Sequence, residues 1–492
     1  MRKKVTAWTE VDGEWGCHCV DSCCEKEICY AWGDPHTCTP DGRVYHFQGP
    51  CRYTFAKDCL NGDFNVEVQQ VPSHWRPTVS LVREVYVMAY GYTITIKQGR
   101  VVTVDPPPPP SPATLPFSLA GGNIVVRLSG RFVRIELTAL CVVIFYDGSH
   151  HIKAEIPSNY KSNLCGLCGN YNGIASDDYL MPDGTLALNW NDFGNSWEVT
   201  SESCQGDRPT GEPPTQGPCD PVFSDQCNVL TDTNGPFAEC HGFVDPGTYL
   251  ETCVFDICET EGAIFCENLE TYYDACLAAG GTPFDWRTPT NCPMDCPANS
   301  AYSPCTTACP ASCPDPNPTC TEACVEGCVC NDGFILSGLE CVPLADCGCI
   351  DENGFYHALG AQWGTPDGRR CECTVGGNIE CEQVSCDEAA GYSWTLVDGV
   401  WGCNCVDSCC EKEICYAWGD PHTCTPDGRV YHFQGPCRYT FAKDCLNGDF
   451  NVEVQQVPSH WRPTVSLVRE VYVMAYGYTI TIKQGRVVTV DP

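Results

Sequence analysis

Residues 29–51 read Cys-Tyr-Ala-Trp-Gly-Asp-Pro-His-Thr-Cys-Thr-Pro-Asp-Gly-Arg-Val-Tyr-His-Phe-Gln-Gly-Pro-Cys, and the same stretch returns unchanged at 415–437. The identity runs from Cys19 to Pro106 against Cys405 to Pro492. Just upstream the copies differ at Glu10/Leu396, Glu14/Val400 and His18/Asn404. Identity of this kind reads as a recent duplication or as an artefact of sequence assembly. The repeat period is a whole multidomain unit rather than a solenoid repeat, so the chain reads as one full unit plus the start of the next.

Forty-three cysteines are spread over 492 residues, far above ordinary usage. Such density points to an oxidising compartment, where bridges replace the large cores that small modules cannot build. A cytosolic metal array is the competing reading, but the cysteines are not paired with histidines at zinc-finger spacing. The odd count fits a free or interchain thiol, or equally a repeat cut within a domain. Acidic residues number 63 against 28 basic, a formal net charge of −35. That sign argues against nucleic acid and anionic membrane surfaces, and suits calcium. The longest apolar run, Ala139 to Tyr146, is strand-sized and far short of the ~18 residues of a span, so no membrane insertion is expected. The start, Met-Arg-Lys-Lys-Val-Thr, is basic but has no apolar stretch behind it. The signal peptide is therefore missing, and the sequence reads as a fragment of a longer secreted chain. It contains no Asn-X-Ser/Thr sequon, so N-glycosylation is not expected.

Residues 1–28 read as the tail of a small cysteine-rich module. From Cys29 to about residue 208 the pattern is β. Phe64–Val68, Val85–Tyr90, Tyr92–Ile96, Ile124–Leu128, Phe132–Leu137 and Val142–Tyr146 are short β-branched or aromatic runs separated by glycine-containing turns. This spacing predicts an antiparallel β-sandwich. Pro106–Pro110 reads as a stiff exposed loop, because proline cannot occupy a central strand. Residues 209–218 are a linker by composition. Residues 219–295 hold eight cysteines among helical patterns, 296–348 hold ten with little else hydrophobic, and 349–414 form a further small module. Residues 415–492 begin the second copy. The fold class is thus mainly β: an antiparallel sandwich followed by small disulfide-rich modules, one of them partly helical.

Gly33-Asp34-Pro35-His36, then Asp41-Gly42, Tyr45, Phe47, Gly49 and Cys51, resemble the opening strand of the von Willebrand factor type D domain family. The eight-cysteine segment resembles that family's C8 module, and the ten-cysteine segment its trypsin-inhibitor-like module. The order D, C8, inhibitor-like, small β module, D is the family's own and covers essentially the whole chain. By this resemblance Cys29 pairs with Cys168, Cys51 with Cys204 and Cys59 with Cys165. Cys38 and Cys141 fall outside the usual pattern and are expected to bridge each other.

Four stretches carry candidate chemistry. The loop Cys165-Gly-Leu-Cys-Gly-Asn-Tyr-Asn-Gly-Ile-Ala-Ser-Asp-Asp178 concentrates hard oxygen donors, as calcium requires, and is no EF-hand because no Glu stands at the twelfth position. The alternative is an Asn/Asp turn capping its own backbone. The resemblance implies a structural calcium on Asp34, Asn170, Asn172, Asp177 and Asp178, with the Ile174 carbonyl as a further ligand. Cys165-X-X-Cys168 is either a redox pair or two structural bridges; the helix N-terminus usual for redox pairs is absent. At Asp34-Pro35, repeated at Asp420-Pro421, the carboxyl is placed to attack its own peptide carbonyl, with proline nitrogen as leaving group and His36 as proton source. The resemblance implies such self-cleavage, with the halves joined by disulfides; the alternative is a structural turn. If Asp34 also held calcium, calcium loss and falling pH would promote cleavage together. The inhibitor-like module offers no Lys or Arg between Cys296 and Cys347 to anchor in a trypsin-like pocket. His150-His151 reads as solvated rather than as a metal pair.

The expected function is that of a secreted structural or adhesive protein of extracellular or mucus type, built from calcium-stabilised, disulfide-linked D assemblies. It is not an enzyme beyond self-cleavage. Expected partners are other extracellular or mucus glycoproteins, or further copies joined through disulfides. The alternatives are a serine protease inhibitor acting through the inhibitor-like module, and a thiol isomerase using Cys165 or Cys168.

Overall fold

The computed structural model describes residues 6–11, 14–19, 25–33, 35–73, 79–106, 112–200, 203–210, 220–260, 262, 264–397, 399–406, 414–419, 421–426, 429–445, 448–459, 462, 464–485 and 487–491. They fall into two compact units, 1–385 with 394–402, and 386–393 with 403–492.

In the first unit, β1 (Thr6–Val11) and β2 (Glu14–Cys19) form a hairpin. The sandwich follows with β3 (Lys26–Trp32), β4 (His36–Cys38), β5 (Val44–His46), β6 (Arg52–Asp58), β7 (Phe64–Pro72), β8 (Ser80–Ala89), β9 (Tyr92–Lys97) and β10 (Val101–Asp105). It continues with β11 (Phe117–Leu119), β12 (Ile124–Ser129), β13 (Phe132–Leu137), β14 (Val142–Tyr146), β15 (Ile152–Pro157), β16 (Leu164–Cys165) and β17 (Glu198–Thr200). One sheet runs β10-β9-β8-β7-β6-β16, with β17 also on β6; the other runs β11-β12-β13-β14-β15-β3-β4-β5.

Alternation builds the interface between the sheets. Ile124, Val126, Val133, Ile135, Val142 and Ile144 face Val66, Val68, Val85, Val87, Ile94 and Ile96, all buried in one core with Phe47, Tyr53 and Phe55. Tyr90 and Gly91 join β8 to β9 with φ of 51° and 81°, the two left-handed residues that a type I′ hairpin needs. A bulge at Gln69/Gln70 accentuates the twist of β7. Helix α1 (Trp190–Ser196), capped by Asn189 accepting from the Asp192 N–H, seats Phe193 in the same core.

The next module is helical, with α2 (Pro221–Ser224), α3 (Gly247–Thr260), α4 (Phe265–Ala278) and α5 (Arg287–Thr290). Ile257, Leu269, Tyr272, Tyr273 and Trp286 form its core. The bridges Cys227–Cys253, Cys240–Cys276 and Cys266–Cys292 staple it. The inhibitor-like module has two hairpins, β18 (Ser300–Thr306) with β19 (Val325–Cys330) and β20 (Phe334–Ser337) with β21 (Glu340–Pro343). Five bridges replace a core there: Cys296–Cys328, Cys305–Cys324, Cys309–Cys320, Cys313–Cys347 and Cys330–Cys341. Among the described residues no helix is long and apolar enough to cross a membrane.

In the second unit, 438–443, 450–458, 466–475, 478–483 and 487–491 form a five-stranded sheet with the register of β6–β10, including the bulge at Gln455/Gln456. Val488 in the last of these strands is 56 % exposed, whereas the identical Val102, packed in the first unit's sandwich core, is 1 % exposed.

Candidate functional site

The turn between β4 and β5 meets the loop after Cys168. Asp41, in that turn, accepts the backbone N–H groups of Asn172 and Gly173, each at 2.9 Å. Asp177 accepts the Asn170 and Asn172 side-chain amides at 3.0 and 2.9 Å. The Asn172 Oδ1 in turn accepts the Ile174 N–H at 2.7 Å. Asp178 is wholly buried and accepts the Thr39 hydroxyl at 2.7 Å and the Asn170 N–H at 3.2 Å. Burial, with Asp41 and Asp177 adding, pushes its carboxyl up to about 6 against the Thr39 and Asn170 hydrogen bonds. The neighbouring Arg43 neutralises none of these oxygens: it donates to the Ala175 and Ser176 carbonyls at 3.1 and 2.9 Å and lies 3.3 Å over the Tyr179 ring. Gly169 has φ 71°, and a Cβ there would stand 2.2 Å from the Asp178 Oδ1, so only glycine lets the loop close over this carboxylate.

Asn170, Asn172, Asp177 and Asp178 are thus brought together as the sequence pattern implies. Asp34 lies outside the described residues, as does Asp420. Among the described residues, an aspartate that reaches the loop from the first strands is Asp41, which the sequence reading missed. Its signal was the Pro40-Asp41-Gly42 turn, whose carboxylate is free of strand pairing. Three carboxylates and two amide oxygens gather at this loop with no cation partner among the described residues, hard-oxygen donors of the kind calcium takes, although the three carboxylates do not all lie within 4.8 Å of one another and each accepts hydrogen bonds from the protein.

Gly33 and His36 lie against Asp256 of the helical module. Pro35 and His36 are buried. His36 Nε2 contacts the Asp256 carboxylate of α3, and its Nδ1 contacts His46 Nδ1. Asp256, also wholly buried, accepts the Asn268 amide at 2.9 Å through its other oxygen. Trp32 and Phe255 pack around His36, and the Tyr30 and Tyr249 hydroxyls meet at 2.9 Å beside them.

Cys29–Cys168, Cys51–Cys204 and Cys59–Cys165 are bonded, with S–S of 1.99 Å in the first. Both cysteines of the Cys165-X-X-Cys168 stretch thus sit in separate bridges. The expected Cys38–Cys141 bridge is not formed: Cys38 is a free thiol and Cys141 is bonded elsewhere. The sheet order explains this, since β15 and β3 stand between β14 and β4. Three interstrand spacings, roughly 14 Å, exceed the ~7 Å Cα limit of a disulfide. Burial pushes the Cys38 thiol up to about 11. His150 and His151 are also a correction. They are buried rather than solvated, because Asp147 Oδ1 accepts the N–H groups of Ser149, His150 and His151 and folds the turn inward. Burial, aided by Arg131, lowers His151 to about 3.

Arg131 joins three modules. It pairs with Glu270 at 3.2 Å and Asp274 at 2.6 Å on α4, and lies 3.9 Å from Glu326 of the inhibitor-like module. Arg287 bridges Glu326 at 2.8 Å and also pairs with Glu270. Burial disfavours charge on Asp274, yet Arg131, Lys153 and His151 hold its carboxyl well below the usual range. Beside this hub Arg127 donates to the Ala308 carbonyl and pairs with Glu322, so the inhibitor-like module is seated on the sandwich.

Comparison with known proteins agrees with this architecture. The von Willebrand factor type D domain family matches residues 29–185 and 415–492, the C8 domain 226–293, the trypsin inhibitor like cysteine rich domain 296–347 and the TILa domain 348–404. Zonadhesin of Sus scrofa is 34 % identical over 495 residues, covering 97 % of this chain and 19 % of its own length. The IgGFc-binding protein of Homo sapiens is 35 % identical over 503 residues, covering 97 % of this chain and 9 % of its own length. Alpha-tectorin of Homo sapiens is 35 % identical over 443 residues, covering 86 % and 20 %. The chain spans about a fifth or less of these relatives. By its domain content and order, the chain belongs to the family of proteins built from von Willebrand factor type D assemblies.

Proposed function

We propose that this chain is a D assembly of a secreted structural or adhesive protein of the extracellular or mucus type, stabilised by calcium and disulfides and self-cleaving at Asp34-Pro35. The observation that carries the reading is the convergence of Asp41, Asp177, Asp178, Asn170 and Asn172 on one glycine-shaped loop, tied to the sandwich by bridges at Cys165 and Cys168. Calcium there supplies the positive charge that the loop's own residues do not, so the turn after β4 and the loop after β16 are held together. Scission at Asp34-Pro35 would leave β3, with Cys29, on the upstream fragment. That strand lies between β15 and β4 and is bonded to Cys168, so the fragments remain joined. Partners are further extracellular or mucus glycoproteins, as the names of the relatives suggest. Reducing and non-reducing gels of the secreted protein, after incubation from neutral to acidic pH, test the self-cleavage. The expected result is a fragment with Pro35 at its N-terminus that separates only on reduction. A reduced chain that stays intact throughout refutes that half of the proposal.

A further inference from the structure

We propose that the strand Asn378–Gln383 is a docking edge that takes an extended cationic segment of another extracellular protein as an added strand. It is the outer strand of a three-stranded sheet, paired on one side with Arg369–Thr374, which pairs in turn with Gln362–Gly364. All six of its residues are exposed, and among the described residues no backbone–backbone hydrogen bond is made along its outer side. The edges of the sandwich are by contrast short or covered. Strands β5 and β11 have three residues each and β16 two, and the Ala113 N–H donates to the Val102 carbonyl at 2.7 Å over β10. An open strand of this length, about 20 Å, is a template for pairing. The bridge Cys371–Cys381 ties it to its neighbour, so the edge is ordered before any partner arrives and little entropy is lost on binding.

Charge selects the occupant. Glu380 stands opposite Glu372 and Glu382 opposite Arg370, so all four lie on one face of the sheet. Gln362 donates to Glu372 at 2.8 Å, whereas Glu380 and Glu382 make no ion pair or side-chain hydrogen bond among the described residues. Three carboxylates thus meet one guanidinium, and the two directly opposed glutamates repel each other. Pairing this edge with a second copy would set further glutamates against them, so the charge disfavours self-pairing. The other face of the strand exposes Ile379 and Cys381. A partner strand with Lys or Arg at alternate positions places cations against Glu380 and Glu382. Apolar residues between those cations cover Ile379 and the Cys371–Cys381 bridge. Backbone hydrogen bonds supply the attachment and the charges choose the partner. Strand addition here needs neither calcium nor self-cleavage.

The chain carries a formal net charge of −35, so any cationic peptide is drawn to it, and strand addition must be separated from that attraction. The experiment titrates the full secreted chain with a short synthetic peptide of alternating lysine and valine, by calorimetry and by amide hydrogen exchange. The same peptide N-methylated at alternate residues keeps the charge and blocks strand addition. The expected result is saturable binding with at least about fivefold slower exchange at Asn378–Gln383. The methylated peptide is expected to bind at least about tenfold more weakly, since it loses the backbone donors. Glu380→Gln combined with Glu382→Gln is expected to weaken binding about three- to tenfold, the size of two exposed ion pairs, with thermal unfolding unchanged. Equal binding of both peptides, protection elsewhere but not at Asn378–Gln383, or an unchanged affinity in the double variant would each overturn the proposal. Protection of that strand in the peptide-free chain that fades on dilution would place a second copy on the edge and overturn it as well.

Discussion

Replacing Asp178 with Asn is predicted to stabilise the calcium-free D domain at neutral pH while abolishing its response to calcium. The carboxyl is wholly buried, and its folded pKa is raised from 3.8 to about 6. The folded protein therefore binds this proton more tightly than the unfolded chain does. Stability falls as pH rises through the window from 3.8 to about 6, and the full cost is present above it. The difference of about 2.2 pH units corresponds to about 3 kcal/mol as an upper figure. Asn keeps the shape: its oxygen accepts the Asn170 N–H, and its amide donates to the Thr39 hydroxyl, which can turn to accept. For a domain of this size about 3 kcal/mol is a Tm rise of up to about 10 °C. Calcium favours the ionised carboxylate, so in the wild-type protein saturation at about 100 times Kd adds about 2.7 kcal/mol and reverses the pH trend. The assay is thermal unfolding of wild type and Asp178→Asn at pH 5 and pH 7.5, with chelator and with millimolar calcium. A variant less stable than wild type in chelator at pH 7.5, or one that still gains from calcium, would refute the reasoning.

Arg131→Met should destabilise the first unit by about 3–5 kcal/mol, because it leaves buried Glu270, Asp274 and Glu326 short of a partner. Denaturant unfolding measures it, and a loss under about 1 kcal/mol would show the hub to be dispensable. Gly169→Ala, at φ 71° and with its Cβ 2.2 Å from Asp178, should lower Tm and weaken the calcium response together; an unchanged calcium midpoint would separate the loop's shape from its affinity. Cys38→Ser should leave non-reduced mobility and secretion unchanged, and native Cys38 should alkylate slowly at pH 7.5 because burial raises its thiol to about 11. Loss of a disulfide in that variant, read by intact mass, would restore the bridge to Cys141.

The strands were legible because alternation and glycine turns are local signals, and Ile124-Val-Val-Arg-Leu-Ser129 carries its buried face in its own period. The module order was legible from cysteine spacing. Cys38 was misread because pairing by elimination ignores sheet order, which places β15 and β3 between the two cysteines. His150 and His151 were misread because one Asp147 oxygen collecting three N–H groups is invisible without coordinates. The loop of Asn170 to Asp178 announced its donors, but Asp41 joins them across more than a hundred residues. Asp256, farther still from His36, gives no sequence signal at all. Contacts between modules are set by docking, and neither composition nor periodicity encodes which buried side chains will meet.

The most direct test of the account is calorimetric titration of the chelator-stripped secreted protein with calcium, beside Asp41→Asn. The account predicts calcium binding at the loop of Asn170 to Asp178 and a marked loss of affinity in the variant. Saturating titrations with no heat and no gain in Tm, or equal binding by Asp41→Asn, would contradict it.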